Sequence, residues 1–220
     1  MLDQVLSIVA PHHCSGCGEL GSLLCHHCKY DIIDEHENRC LVCLAPTTTG
    51  LCASHRRPYQ KAWFVGERNG TLQRIIGNFK FNNARAASKT LAELLDRSLP
   101  DFPHDVVVVP VPTVSSHIRE RGYDHTLLVV RKFAKSRDLK IAPILTRSTT
   151  TKQRSANKST RRQQAKRAFA LKGPVNSEAT YLVIDDVFTT GATIEYATRL
   201  LKGAGAKKIW VAVIARQTLD

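Results

Sequence analysis

The sequence predicts an α/β protein with a parallel sheet, preceded by a small metal-stapled module. Two observations carry this. Strand-like apolar runs alternate with helix-periodic stretches from about residue 70 onward, the pattern of a parallel sheet with right-handed crossovers. All seven cysteines lie before residue 53. The expected division is residues 1–58 for the metal module and 59–220 for the sheet domain.

The cysteines fall in pairs: Cys14-x-x-Cys17, Cys25-x-x-Cys28 and Cys40-x-x-Cys43, then Cys52 with His55 where a fourth partner would stand. Two residues between ligands let a tight turn aim both side chains at one ion. Four thiolates, or three and an imidazole, suit tetrahedral Zn²⁺. A redox pair, an iron–sulfur cluster or inert cysteines would fit one such pair; four in register point to two structural zincs. The simplest partition is sequential: Cys14, Cys17, Cys25 and Cys28, then Cys40, Cys43, Cys52 and His55. An interleaved partition remains open. His12, His13, His26 and His27 are not needed, because the eight spaced donors suffice. The segment has too few large apolar residues for a core of its own, so metal must supply folding energy. An odd number of cysteines without a leader pattern argues against a disulfide framework and for a cytoplasmic protein.

Leu72, Ile75, Ile76 and Phe79, then Leu91, Leu94 and Leu95, have helical spacing. They predict two helices broken near Asn82 and Asn83. "HDVVVVPVP" is a β-branched run suited to a strand buried on both faces. Residues 124–137 read as helix, "IAPIL" as a short strand and "YLVID" as a strong one. Residues 194–202 read as a helix stopped by Gly203 and Gly205, and "KIWVAVIA" as the last strand. No run approaches the roughly 18 apolar residues of a membrane span.

The chain carries 32 basic and 19 acidic residues, a formal charge of +13, which suggests an anionic partner. Nine of the basic residues lie between Arg147 and Lys172, and no acidic residue occurs between Leu139 and Ser177. Ser, Thr, Gln and Asn fill the gaps. A solvated surface run is the ordinary reading of such a stretch. A loop closing over pyrophosphate, or a contact to a nucleic-acid backbone, are the functional ones.

"YLVIDDVFTTGAT" places Asp185 and Asp186 at the expected tip of a strand, where ligands bind in such sheets. Small residues from Thr189 to Thr193 then lead into a helix, whose N-terminus offers unpaired N–H donors to a phosphate. Two carboxylates can accept hydrogen bonds from two vicinal hydroxyls. Phosphate and diol together describe a ribose 5-phosphate.

"VIDDVFTTGAT" resembles the ribose-phosphate motif of type I phosphoribosyltransferases, which bind phosphoribosyl pyrophosphate (PRPP). The resemblance implies a Rossmann-like sheet, catalytic Asp185 and Asp186 on the ribose hydroxyls, and Val187, Thr189, Thr190, Gly191, Ala192 and Thr193 around the 5′-phosphate. It also implies Mg²⁺ accompanying PRPP. With its cysteine-rich start, the chain resembles the ComF/GntX-like family over nearly its whole length. "VVPVP" followed by "RERGYDH" resembles that family, with Asp124 and His125 where Asn and Gln are usual. Thr150, Gln153, Arg161, Ala168 and Phe169 match its next string; Ala156 and Gln164 depart from it.

From this follow a pyrophosphate side at Pro112, Arg119, Arg121, Lys152 and Arg161, and nucleic-acid contacts at Arg154, Lys158, Arg161, Arg162, Lys166 and Arg167. The expected function is binding of PRPP and single-stranded DNA in natural transformation, alongside DNA-uptake proteins such as a helicase. An active phosphoribosyltransferase with a nucleobase-like acceptor, and a zinc adaptor with an inactive domain, are the alternatives.

Overall fold

The computed structural model describes residues 12–34, 38–81, 86–103, 105–147 and 169–217, with the side chains of Asp34 and Phe81 left aside. The elements in order are α1 (His26–Asp34), β1 (Lys61–Glu67), α2 (Gly70–Phe81), α3 (Ala87–Arg97), β2 (Val106–Pro110) and α4 (Ser115–Arg121). Then follow α5 (His125–Ser136), β3 (Lys140–Ile141), β4 (Leu145–Arg147), β5 (Phe169–Leu171), β6 (Thr180–Phe188), α6 (Ala192–Gly203) and β7 (Lys208–Arg216).

Five strands form one parallel sheet in the order β1-β7-β6-β2-β3, and β4 and β5 form an antiparallel pair beside it. Side chains alternate along each strand, so the sheet has two buried faces. Leu182, Ile184, Val108 and Ile214 face one core with Ile75, Leu94 and Phe133 from α2, α3 and α5. Tyr181, Val183, Val211 and Val213 face the other with Ile194, Ala197 and Leu201 of α6.

The metal module straddles this sheet. Cys14 and Leu24 belong to the first core and Leu41 to the second. Arg216, at the end of β7, is 7% exposed and donates to the carbonyls of Leu41 and Val42 at 2.9 Å and to Glu67 at 2.8 Å. The backbone N–H of Ala62 donates to Thr49 O at 2.8 Å, so the module's second loop runs alongside β1. Gly50 permits that approach: its φ is +74°, and a Cβ there would lie 1.6 Å from Ala62 O.

Two expectations need correction. "IAPIL" is not one strand; Ala142, Pro143 and Ile144 separate β3 from β4, because proline cannot donate to a ladder. Asp185 and Asp186 do not leave the strand tip. They lie within β6, whose pairing with β7 continues from Asp185↔Val213 to Phe188↔Arg216. The paired length of β7 overrides the polar look of the segment.

Candidate ribose-phosphate site and metal centres

Because Asp185 and Asp186 are consecutive in a strand, they point to opposite faces. Asp186 shares the side of Leu182 and Ile184. There Lys80 from α2 forms an ion pair with its Oδ2, and His125 Nε2 lies 2.9 Å from the same oxygen. Arg121 Nη1 lies 3.0 Å from His125 Nδ1. Guanidinium can only donate, so the imidazole carries its proton on Nε2 and donates it to Asp186. Burial alone would raise the Asp186 pKa; the His125 hydrogen bond and the Lys80 charge outweigh it and hold the carboxyl well below the usual range.

Asp185 faces the other core and is 8% exposed. Burial, and then the charge of Asp186, push its pKa well above the usual carboxylate value. Its Oδ1 accepts from the Asp186 N–H at 2.8 Å. Half-buried Arg147 is the nearby cation: burial lowers its pKa and the charge of Asp185 opposes that. The pKa values of the two adjacent carboxylates are thus pushed in opposite directions, the arrangement that separates roles within a site.

Beyond Phe188 the chain turns at Gly191 into α6. Thr189, Thr190 and Ala192 are exposed; Gly191, the N-cap, has no side chain to offer, and Thr190 Oγ1 accepts the Ala192 N–H at a long 3.4 Å. The leading N–H groups of α6 therefore point out at the C-terminal end of the sheet, as an anion site requires. Gly191 has φ +75°, and a Cβ would meet the Phe188 ring at 2.6 Å. Gly191→Ala is expected to cost about 1–3 kcal/mol of stability through that strain and to displace the loop, read by chemical denaturation.

Of the expected pyrophosphate residues, Pro112 lies two residues beyond the end of β2, next to Val111, whose N donates to Ile184 O at 2.8 Å. Arg121 reaches Asp186 through His125, while Arg119 is exposed on α4. Lys152, Arg154, Lys158, Arg161, Arg162, Lys166 and Arg167 lie outside the described residues. Asp124, a departure from the family pattern, is the N-cap of α5: it accepts from Leu127 N at 3.0 Å and from Thr113 Oγ1 at 2.9 Å. Sequence reading did not find Lys80, placed Arg147 only in the basic run and not beside Asp185, and gave His125 no role.

The eight expected metal ligands assemble in the sequential partition, Cys14–Cys17–Cys25–Cys28 and Cys40–Cys43–Cys52–His55, with donors within 4.8 Å of one another in each set. The Cys17–Cys25 and Cys43–Cys52 sulfurs are 3.7 and 3.6 Å apart. Tetrahedral zinc at about 2.3 Å from each thiolate separates sulfurs by about 3.8 Å. His55 Nδ1 lies 3.1 Å from Cys52 Sγ and 3.9 Å from Cys40 Sγ. The donor sets therefore fit zinc. Burial raises the Cys14 thiol, but backbone N–H groups, chiefly that of Cys25, pull it down to about 6; Cys40 reaches about 6 against its own burial through the N–H groups of Cys43 and Cys52. Both are predisposed to the thiolate that metal needs.

Residues 126–218 match the phosphoribosyl transferase domain. The chain is similar to competence protein F of Haemophilus influenzae, 29% identical over 92% of this chain and 90% of that one. It is 25% identical to competence protein ComFC of Streptococcus pneumoniae over 89% and 84%. It is 26% identical to DNA utilization protein YhgH of Escherichia coli over 85% and 95%. Among solved structures, the glutamine PRPP amidotransferase of B. subtilis aligns over 59% of this chain and 26% of its own, with TM-score 0.43 and 17% identity.

Proposed function

We propose that this chain, a homologue of competence protein F whose body is a phosphoribosyl transferase domain, binds PRPP at residues 185–193 and single-stranded DNA elsewhere, in the service of DNA uptake. The observation that carries the PRPP reading is the placement of the β6 carboxylates, pushed in opposite directions, beside the exposed N-terminus of α6 that Gly191 opens. The helix end and the hydroxyls of Thr189, Thr190 and Thr193 take the 5′-phosphate. Asp186, on the opposite face of β6 from α6, is held ionised by Lys80 and His125. Asp185, on the face that α6 covers, would accept a ribose hydroxyl in its ionised form. Magnesium arriving with PRPP would offset charge on the pyrophosphate. If a nucleophile then attacks ribose C1, the C1–O bond to pyrophosphate breaks, and the leaving group takes the electron pair. The basic run from Arg147 would stabilise that charge.

The DNA reading is supported by the formal charge of +13 and by the names of the relatives.

Because burial and the neighbouring Asp186 charge raise the Asp185 pKa in the free protein, PRPP binding that uses its carboxylate is expected to be accompanied by proton release, and affinity to rise with pH up to that raised pKa. Calorimetric titration with Mg²⁺–PRPP in two buffers of different ionisation enthalpy measures this. Asp185→Asn should abolish tight binding together with the part of the proton release that PRPP itself does not supply. Wild-type protein that binds no PRPP would overturn the reading; binding undiminished in Asp185→Asn would remove Asp185 from it.

A further inference from the structure

A cavity of about 500 Å³ lies where the module's second loop meets β1 and the end of α3. Its size is that of a small-ligand site. It sits toward the N-terminal ends of the strands: Lys61 opens β1, and Leu99 and Pro100 precede β2. Asp185 to Thr193 occupy the opposite ends. Two sites on this domain would therefore not share space.

The lining has a defined chemistry. Arg39, Lys61 and Arg97 contribute three exposed cations, and no lining residue is acidic. Among the described residues no carboxylate pairs with any of the three. The same cavity is lined by half-buried Trp63, whose ring packs against Trp210 at 5.8 Å and Phe102 at 5.7 Å. The Lys61 ammonium lies 4.9 Å from the Trp210 ring. Packing fixes the indole, so a planar ligand placed on it need order nothing further. Asn38, Thr47 and Thr48 supply hydrogen-bonding groups at the rim. Cations spaced around a rigid aromatic are what a single strand of nucleic acid requires: phosphates alternate with bases along the chain, and any base can stack.

We propose that this cavity is a single-stranded DNA site, with a base against Trp63 and flanking phosphates on Arg39, Lys61 and Arg97. It rests on the DNA-handling reading above and gives it a location separate from the basic run of residues 147–172.

The chain has two tryptophans, and both stand in this cluster. Tryptophan fluorescence, excited selectively over the five tyrosines, therefore reports on this place alone. Titrating the zinc-loaded protein with an oligothymidine of about 12 nucleotides at about 50 mM salt should quench the indoles in step with the anisotropy of a labelled oligonucleotide. In Arg39→Ala/Lys61→Ala/Arg97→Ala, affinity should fall at least about tenfold. The slope of log K against log salt should shrink by about 2, the share of three phosphates on a single strand. These residues are exposed, so the fold is retained, which thermal melting checks. Trp63→Phe should lose most of the quench.

Arg161→Ala/Arg162→Ala is the comparison. If that variant loses DNA while the triple variant binds like the wild type without quench, this location is wrong and the DNA reading stands. If the wild type binds no oligonucleotide, both fail. Saturating PRPP should leave the quench in place; displacement of the oligonucleotide would place it at the other end of the sheet.

Discussion

Asp186→Asn is expected to lower unfolding free energy by about 3 kcal/mol or more, whereas Asp185→Asn leaves it unchanged or raises it. The difference follows from what each carboxylate meets. Asp186 has a side chain 15% exposed and balances Lys80, itself 14% exposed. Its loss strands an ammonium in a nearly closed site, and breaking a buried pair from one side costs about 3–5 kcal/mol. Asp185 is a carboxyl that burial already pushes toward its neutral form, so an amide there removes a desolvation cost. The pH dependences run in opposite directions. Asp186, with its pKa lowered on folding, contributes stability above the unfolded value of about 4, lost as pH falls toward the depressed one. Asp185, raised on folding, contributes below about 4 and loses that contribution as pH rises through its elevated pKa. Urea titrations of both single variants, of Lys80→Met and of Asp186→Asn/Lys80→Met would decide this. The double variant should recover part of the loss. Equal costs at the two aspartates would show that Lys80 and His125 do not hold Asp186 as described.

Removing the metal should have a still larger effect. Zinc binding by small structural sites is worth about 10–16 kcal/mol per ion near neutral pH, and that energy is folding energy. Here it holds more than the module, because Leu24 and Leu41 each seal a different core. Withdrawing either removes about 1.5–3 kcal/mol of burial from the sheet domain. A strong chelator is expected to lower the melting temperature by at least about 10 °C, since each kcal/mol is worth about 2–4 °C at this size. Metal analysis should give two zincs per chain. Cys28→Ser and Cys52→Ser should each release one and destabilise separately. An apoprotein that melts with the holoprotein would show that the clusters contribute nothing to folding.

The sequence carried the periodic elements and the metal ligands well, for a physical reason. Both are local: helical spacing and two-residue ligand gaps are set within a turn or two of chain. β1 escaped because Lys61–Glu67 is short, ends in charges, contains Gly66, and owes its burial to a loop of the metal module and to β7. The partners of Asp186 escaped because Lys80 and His125 converge only when α2 and α5 pack on the same face. His125 looked like a departure from a family pattern; folded, it is a donor aimed at a carboxylate. The segment after Ile184 looked like a tip because its residues are polar, yet the register with β7 makes it strand.

The module's grip on β1 has one more consequence. A sheet's outermost strand presents a row of unmatched amides and carbonyls that another chain can join. In this protein the N–H of Ala62 is taken by Thr49, on a loop held by Cys40, Cys43, Cys52 and His55. Loss of the ion frees that loop and bares an apolar, β-prone strand of Trp63, Phe64 and Val65. A chain without zinc in that cluster is therefore expected to self-associate more readily than the loaded one.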